Sequence, residues 1–250
     1  MKKGIIIASF GTTYQNTRKL CIESIENLIK ERYEKDYLVL RAFTSQMVIN
    51  ILKKRDNIHV FNPDEAMREM KDQGIEEIYI QPLHIIPGHE YEKLTKYDVK
   101  LGLPLLSLQN DYIRIVESIE INELGDNEAL VFMGHGSNHE ADEVYEILEN
   151  TYHEKGFTNV FIGTVEGSKT IEDIIKELKE KDIKKIKLKP FMLVAGDHVV
   201  NDMASEDDDS WKSILEREGF QVEVCLRGLG EYKLIQDIFL EHLGEIIGER

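Results

Sequence analysis

The sequence predicts an α/β protein of two similar lobes, each a mainly parallel sheet flanked by helices, with a cleft between them. Three observations lead there. Short apolar runs alternate with longer amphipathic segments, the pattern of a parallel sheet covered on both faces. The programme runs twice along 250 residues, a length that suits one large α/β domain or two lobes. Finally, three short segments of the first half match three of the second in the same order.

In the first half, residues 4–10 read as a strand and 17–34 as a helix with apolar positions at Leu20, Ile22, Ile25, Leu28 and Ile29. Residues 37–43 read as a strand and 46–54 as a helix. Residues 63–73 form a helix with Asn62 as its cap, 77–82 a strand, and 90–100 and 111–121 helices. In the second half, strands are expected at 129–133, 159–163, 186–193 and 222–226. Helices are expected at 140–155, 170–181, 208–219 and 232–247. The acidic run 205–209 is either the start of the 208–219 helix, where carboxylates suit the dipole, or a solvated charge cluster. The pattern breaks at 122–127, which gives lobes of 1–122 and 123–250, the second carrying the candidate metal residues.

Laid over each other, Ile7-Ala8-Ser9-Phe10-Gly11-Thr12 matches Phe132-Met133-Gly134-His135-Gly136-Ser137. Ala42-Phe43-Thr44-Ser45 falls on Gly163-Thr164-Val165-Glu166, and the run 82–90 falls on 190–198. In this register Phe10 opposes His135, Ser45 opposes Glu166, and Glu90 opposes His198.

Composition excludes several classes. With 42% hydrophobic residues the chain can bury a core. A formal net charge of −16 argues against nucleic acid and anionic membranes as partners. No apolar run is long enough for a membrane span or a signal peptide, and two cysteines read as reduced thiols, so a cytoplasmic location is expected. No GxGxxG or GxxxxGK[ST] loop is present, which leaves nucleotide binding without its usual signature. Gly134-His135-Gly136-Ser137 is not a GxSxG nucleophile elbow. Oligomeric state is not written in the sequence.

Chemistry concentrates where strands end. His135, Glu166 and His198 follow three successive strands of the second lobe, and strand ends of one parallel sheet converge. Two imidazoles and a carboxylate suit a borderline divalent ion such as Co²⁺, Ni²⁺, Fe²⁺ or Zn²⁺ and leave coordination positions open. Such a set also fits a metallohydrolase or a non-catalytic carrier. His139 reads as a helix-terminal or cleft-lining residue rather than a ligand. His84 and His89 flank Pro87-Gly88 in the first lobe, as substrate contacts or surface histidines. His59, His153 and His242 fall on expected surface elements. Gly11-Thr12-Thr13 is either an anion-holding turn or an ordinary strand-to-helix turn.

These segments resemble the anaerobic cobalt chelatases of the CbiK type, within the class II, ATP-independent tetrapyrrole chelatases. The resemblance rests on Ala8-Ser9-Phe10-Gly11-Thr12-Thr13, the run Pro82 to Tyr91, Met133-Gly134-His135-Gly136-Ser137 and Gly163-Thr164-Val165-Glu166-Gly167. Its most specific part is Val194-Ala195-Gly196-Asp197-His198 with Asn201-Asp202-Met203-Ala204, continuing to Trp211. It implies a chelatase-like duplicated fold in which Co²⁺ enters sirohydrochlorin with no nucleotide cofactor, for cobalamin synthesis. Fe²⁺ or Ni²⁺ insertion is the alternative within the class. Secreted relatives carry a leader peptide, and the short apolar run after Met-Lys-Lys-Gly does not read as one, so the cytoplasmic form is expected. His135, Glu166 and His198 would be the metal-binding and catalytic set. Phe10, Thr12, Thr13, Leu83, His84, Ile86, Glu90 and Met192 would contact the substrate, with Arg18 among the groups offsetting its eight carboxylates. Imidazole is also suited to accept a pyrrole proton at neutral pH.

Overall fold

A computed structural model describes residues 2–118 and 124–249. The chain divides into two compact units, residues 1–107 with 230–250, and residues 108–229. The expected boundary at 122/123 lies outside the described residues. The last helix, Lys233–Ile247, belongs to the first unit, where it packs on the Glu23–Tyr33 helix and on β3 (Glu77–Pro82).

The first unit holds β1 (Lys3–Ser9), β2 (Tyr37–Phe43), β3 and β4 (Lys100–Leu101) in the order β2-β1-β3-β4, all parallel. The second holds β5 (Glu128–Gly134), β6 (Val160–Thr164), β7 (Lys185–Phe191) and β8 (Gln221–Val224) in the order β6-β5-β7-β8, also all parallel. Helices cover both faces, so the central strands are continuous apolar runs rather than alternating ones. Ile5 to Ala8 and Ala129 to Met133 are accordingly buried. Among the described residues no helix is long and apolar enough to cross a membrane.

The duplication is written in backbone hydrogen bonds. The Ser45 N–H donates to the Phe10 carbonyl at 3.3 Å, and the Glu166 N–H donates to the His135 carbonyl at 2.8 Å. The Leu105 N–H reaches the His84 carbonyl at 2.9 Å, and the Leu229 N–H reaches the Met192 carbonyl at 2.8 Å. Each lobe thus repeats the same bonds at the same strand ends, in the register expected from the sequence.

Some elements differ from expectation. The helix expected over 90–100 ends at Thr95, and Lys100–Leu101 instead pairs with Tyr79 and Ile80 as β4. The helix expected over 208–219 begins at Trp211, because the Ser210 hydroxyl caps it by accepting the Ser213 N–H. The acidic run 205–209 therefore precedes the helix instead of lying in its first turn. Asn62 caps the Pro63–Asp72 helix in a reciprocal box with Glu65, as expected. His242 is buried rather than superficial, and its Nδ1–H donates to the Leu103 carbonyl at 3.1 Å.

Candidate metal centre

β5 delivers His135 immediately past its last residue, and β7 leads through a short loop to His198, which opens the π-type turn Val199–Met203. Such wide turns are uncommon and concentrate at functional sites. The two imidazoles meet edge to face, with centroids 4.5 Å apart and planes at 86°. Their Nε2 atoms are 3.1 Å apart.

The other edge of each ring fixes its tautomer. His135 Nδ1 lies 3.0 Å from the Gly136 carbonyl oxygen, which can only accept, so Nδ1 carries the proton. His198 Nδ1 lies 2.5 Å from a carboxylate oxygen of Asp202, one helical turn onward, and donates likewise. With both rings neutral, the two Nε2 atoms face each other as lone pairs across 3.1 Å. A cation there relieves the repulsion. With metal–imidazole bonds of about 2.0–2.1 Å, a 3.1 Å separation subtends about 100°, between octahedral and tetrahedral angles.

Glu166 arrives from the loop after β6, beside His135 but at its other edge. A carboxylate oxygen is 3.8 Å from His135 Nδ1. The sequence reading put Glu166 with both histidines around one ion. The structure pairs the two histidines and leaves Glu166, 60% exposed in its side chain, at the Nδ1 edge of His135.

A buried carboxylate missed by the sequence reading holds these loops together. Asp142 accepts the Ser137 N–H at 3.0 Å, the Ser168 N–H at 2.8 Å and the Ser168 hydroxyl at 2.9 Å, which ties the loop after β5 to the loop after β6. Close approach excludes side chains here. A Cβ on Gly167 would stand 2.3 Å from an Asp142 oxygen, and one on Gly136, at φ +77°, would stand 2.4 Å from the Gly167 nitrogen. Asp202 was also missed as a site residue. Its spacing of four from His198, just after a strand, is the signal that would have found it. His139 caps the Glu140–Asp142 turn, its Nδ1 accepting the Ala141 N–H at 3.0 Å, in keeping with the helix-terminal reading.

At the equivalent strand ends of the first unit, Phe10 stands where the second has His135, and the sequence register sets Glu90 against His198. Phe10 is 45% exposed, whereas Thr12, Leu83 and His84 are buried. Met192 of the second unit is buried as well. Of the rest of the expected contact set, Phe10 is exposed and Thr13, Ile86 and Glu90 are half-buried. Burial pushes the His84 imidazole down to about 4, with Glu90 drawing it up and Lys93 pushing it down. Arg18 is buried too, with its guanidinium 3.4 Å from Glu23 and donating to the Thr12 carbonyl. That internal pairing takes it out of the expected group of charge-offsetting cations.

Two parallel lobes of identical strand order, one carrying an imidazole pair at its strand ends, define a metal-handling protein of the chelatase fold. Solved chelatases share that fold. SirB from Bacillus subtilis with Fe³⁺ superposes with a TM-score of 0.64 at 14% identity, covering 99% of this chain and 96% of that one. CbiX, described as the terminal enzyme of siroheme biosynthesis in denitrifying bacteria, gives 0.61 at 16% identity over 97% and 98% of the two chains. The chain belongs to the cobalt chelatase (CbiK) family, whose profile matches residues 3–248. It is 37% identical to the sirohydrochlorin cobaltochelatase of Salmonella typhimurium over 99% of this chain and 97% of that protein. It is 34% identical to the sirohydrochlorin cobaltochelatase CbiKC of Nitratidesulfovibrio vulgaris over 97% and 89%.

Proposed function

We propose that this protein inserts Co²⁺ into sirohydrochlorin in a cytoplasmic, nucleotide-independent step of cobalamin biosynthesis. The observation that carries the reading is the pair of facing Nε2 atoms on His135 and His198, 3.1 Å apart. Family membership supplies the identity of the metal and the macrocycle.

Insertion exchanges one Co²⁺ for two pyrrole N–H protons. In this reading the facing Nε2 atoms replace part of the ion's water shell, and Glu166 completes the set after rotation of its exposed side chain. Two protein nitrogens leave coordination positions for pyrrole nitrogens, so the ion passes from imidazole to macrocycle without being released. As each Co–N(imidazole) bond breaks, its lone pair is freed beside the ring. Two freed lone pairs match the two protons that leave. His135 is the principal ligand and first acceptor. Asp202 stabilises the imidazolium formed on His198, and its anchoring hydrogen bond keeps Nε2 directed at the ion. Phe10, Thr13, Ile86 and Glu90 of the first unit are read as contacts for the macrocycle.

The test follows the absorbance change of sirohydrochlorin as Co²⁺ is added. His135→Ala removes one of the two lone pairs and should abolish all but a small residue of turnover while the protein stays folded by circular dichroism. Undiminished turnover in that variant would refute the assigned mechanism. Stoichiometric uptake with no second turnover in the unaltered protein would identify a carrier instead.

A further inference from the structure

An octacarboxylate substrate and a protein of net charge −16 repel each other, so the acids of this chain must be kept away from the acid side chains of the ring. Their distribution shows how. The two longest stretches free of Asp and Glu are residues 1–22 and 37–55, and no other reaches even 15 residues. The fold brings these two together. β1 and β2 pair in parallel, the Ser45 N–H donates to the Phe10 carbonyl, and Arg55 donates to the Thr13 carbonyl at 2.6 Å. The carboxyl ends of both strands thus share one acid-poor surface within the first unit.

That surface is apolar as well as cationic. Phe10 is 45% exposed, Met47 66%, and Tyr14 and Ile51 37% each. Met47 and Ile51 lie one helical turn apart, and Arg55, one turn further, reaches the loop that carries Tyr14. The cations beside them differ in what they do. Arg55 pairs with Asp56 at 2.7 Å, Arg41 is held by Glu23 and Glu26, and Arg18 by Glu23. Lys53 and Lys54 are exposed, and among the described residues no carboxylate pairs with either.

We infer that the exposed face formed by Tyr14, Met47 and Ile51, with Lys53 and Lys54 in the wide turn that continues its helix, is the surface that captures the carboxylated tetrapyrrole: the apolar side chains take the ring and the two lysines take its carboxylates. The inference rests on the chelatase reading above, and charge complementarity selects the occupant. A flat apolar ring fringed with carboxylates fits an apolar patch fringed with unpaired ammonium groups. This patch also supplies the attraction for which the net charge makes no provision.

The test measures the binding and turnover of sirohydrochlorin by Lys53→Gln/Lys54→Gln, by Met47→Gln, and by Lys35→Gln. Lys35 is an exposed lysine at the amino-terminal end of β2 and serves as the control. The double lysine variant should raise KM and the metal-free Kd by roughly three- to thirty-fold at low salt, with kcat retained and the difference vanishing at high salt. Met47→Gln should raise KM at every salt concentration, and Lys35→Gln should change nothing. If the unaltered protein metallates sirohydrochlorin and the lysine and Met47 variants match it, this surface is not the capture site and the chelatase reading stands. If the unaltered protein neither binds nor metallates sirohydrochlorin, both inferences fall together.

Discussion

Replacing His84 by Met should remove a large part of the protein's acid sensitivity. The second lobe already holds Met192 at the equivalent carbonyl, so the strand-end position accepts an unbranched apolar side chain of similar volume. His84 is 9% exposed, its Nδ1 has no hydrogen-bond partner, and its Nε2 lies 3.5 Å from the Thr44 hydroxyl. Burial lowers its titration from 6.5 to about 4, with Glu90 acting in the opposite sense and Lys93 in the same sense as burial. In the unfolded chain the same imidazole takes up its proton near 6.5. Between those values the unfolded state binds more protons than the folded one, so stability falls as pH drops through that window and is fully present above it. A gap of about 2.5 pH units corresponds to about 3 kcal/mol, of which about 2 kcal/mol is lost by pH 5. Urea unfolding followed by circular dichroism at about pH 7 and about pH 5 reads this directly. The His84→Met protein should lose about 2 kcal/mol less than the unaltered protein over that interval. If both lose stability in parallel, His84 is not held neutral by burial and the reasoning fails.

Further outcomes follow from the metal centre. Asp202→Asn lets the amide donate to His198 Nδ1, which moves the ring proton to Nε2 and blocks the lone pair; Co²⁺ affinity should fall by roughly 10- to 100-fold in a metal titration. Unchanged affinity would remove Asp202 from this role. Gly167→Ala pushes a methyl group against Asp142 and should cost about 1–3 kcal/mol of stability, read from the denaturation midpoint. A midpoint equal to that of the unaltered protein would show that the Asp142 contacts yield without cost. His135→Ala and the Lys53/Lys54 pair, described above, test the chemistry and the capture surface separately.

The sequence by itself determined the architecture. Apolar strands and amphipathic helices alternate with periods that only a parallel sheet covered on both faces satisfies, and the two halves carry the same programme. It also placed His135, Glu166 and His198 at strand ends, because strand termination is a local property of glycine-rich turns. Three things were decided only in the tertiary structure. The pairing of Lys100–Leu101 with β3 depends on a partner strand some twenty residues away, which no helical period reveals. The last helix joins the first unit because its apolar face meets β3 and the Glu23–Tyr33 helix, contacts at a sequence separation that local pattern cannot encode. Most important for function, the tautomers at the candidate metal centre follow from the Gly136 carbonyl and Asp202, and the loop spacing follows from Asp142. A histidine in a sequence is a donor or an acceptor at either nitrogen, and only its neighbours in space decide which lone pair faces the ion.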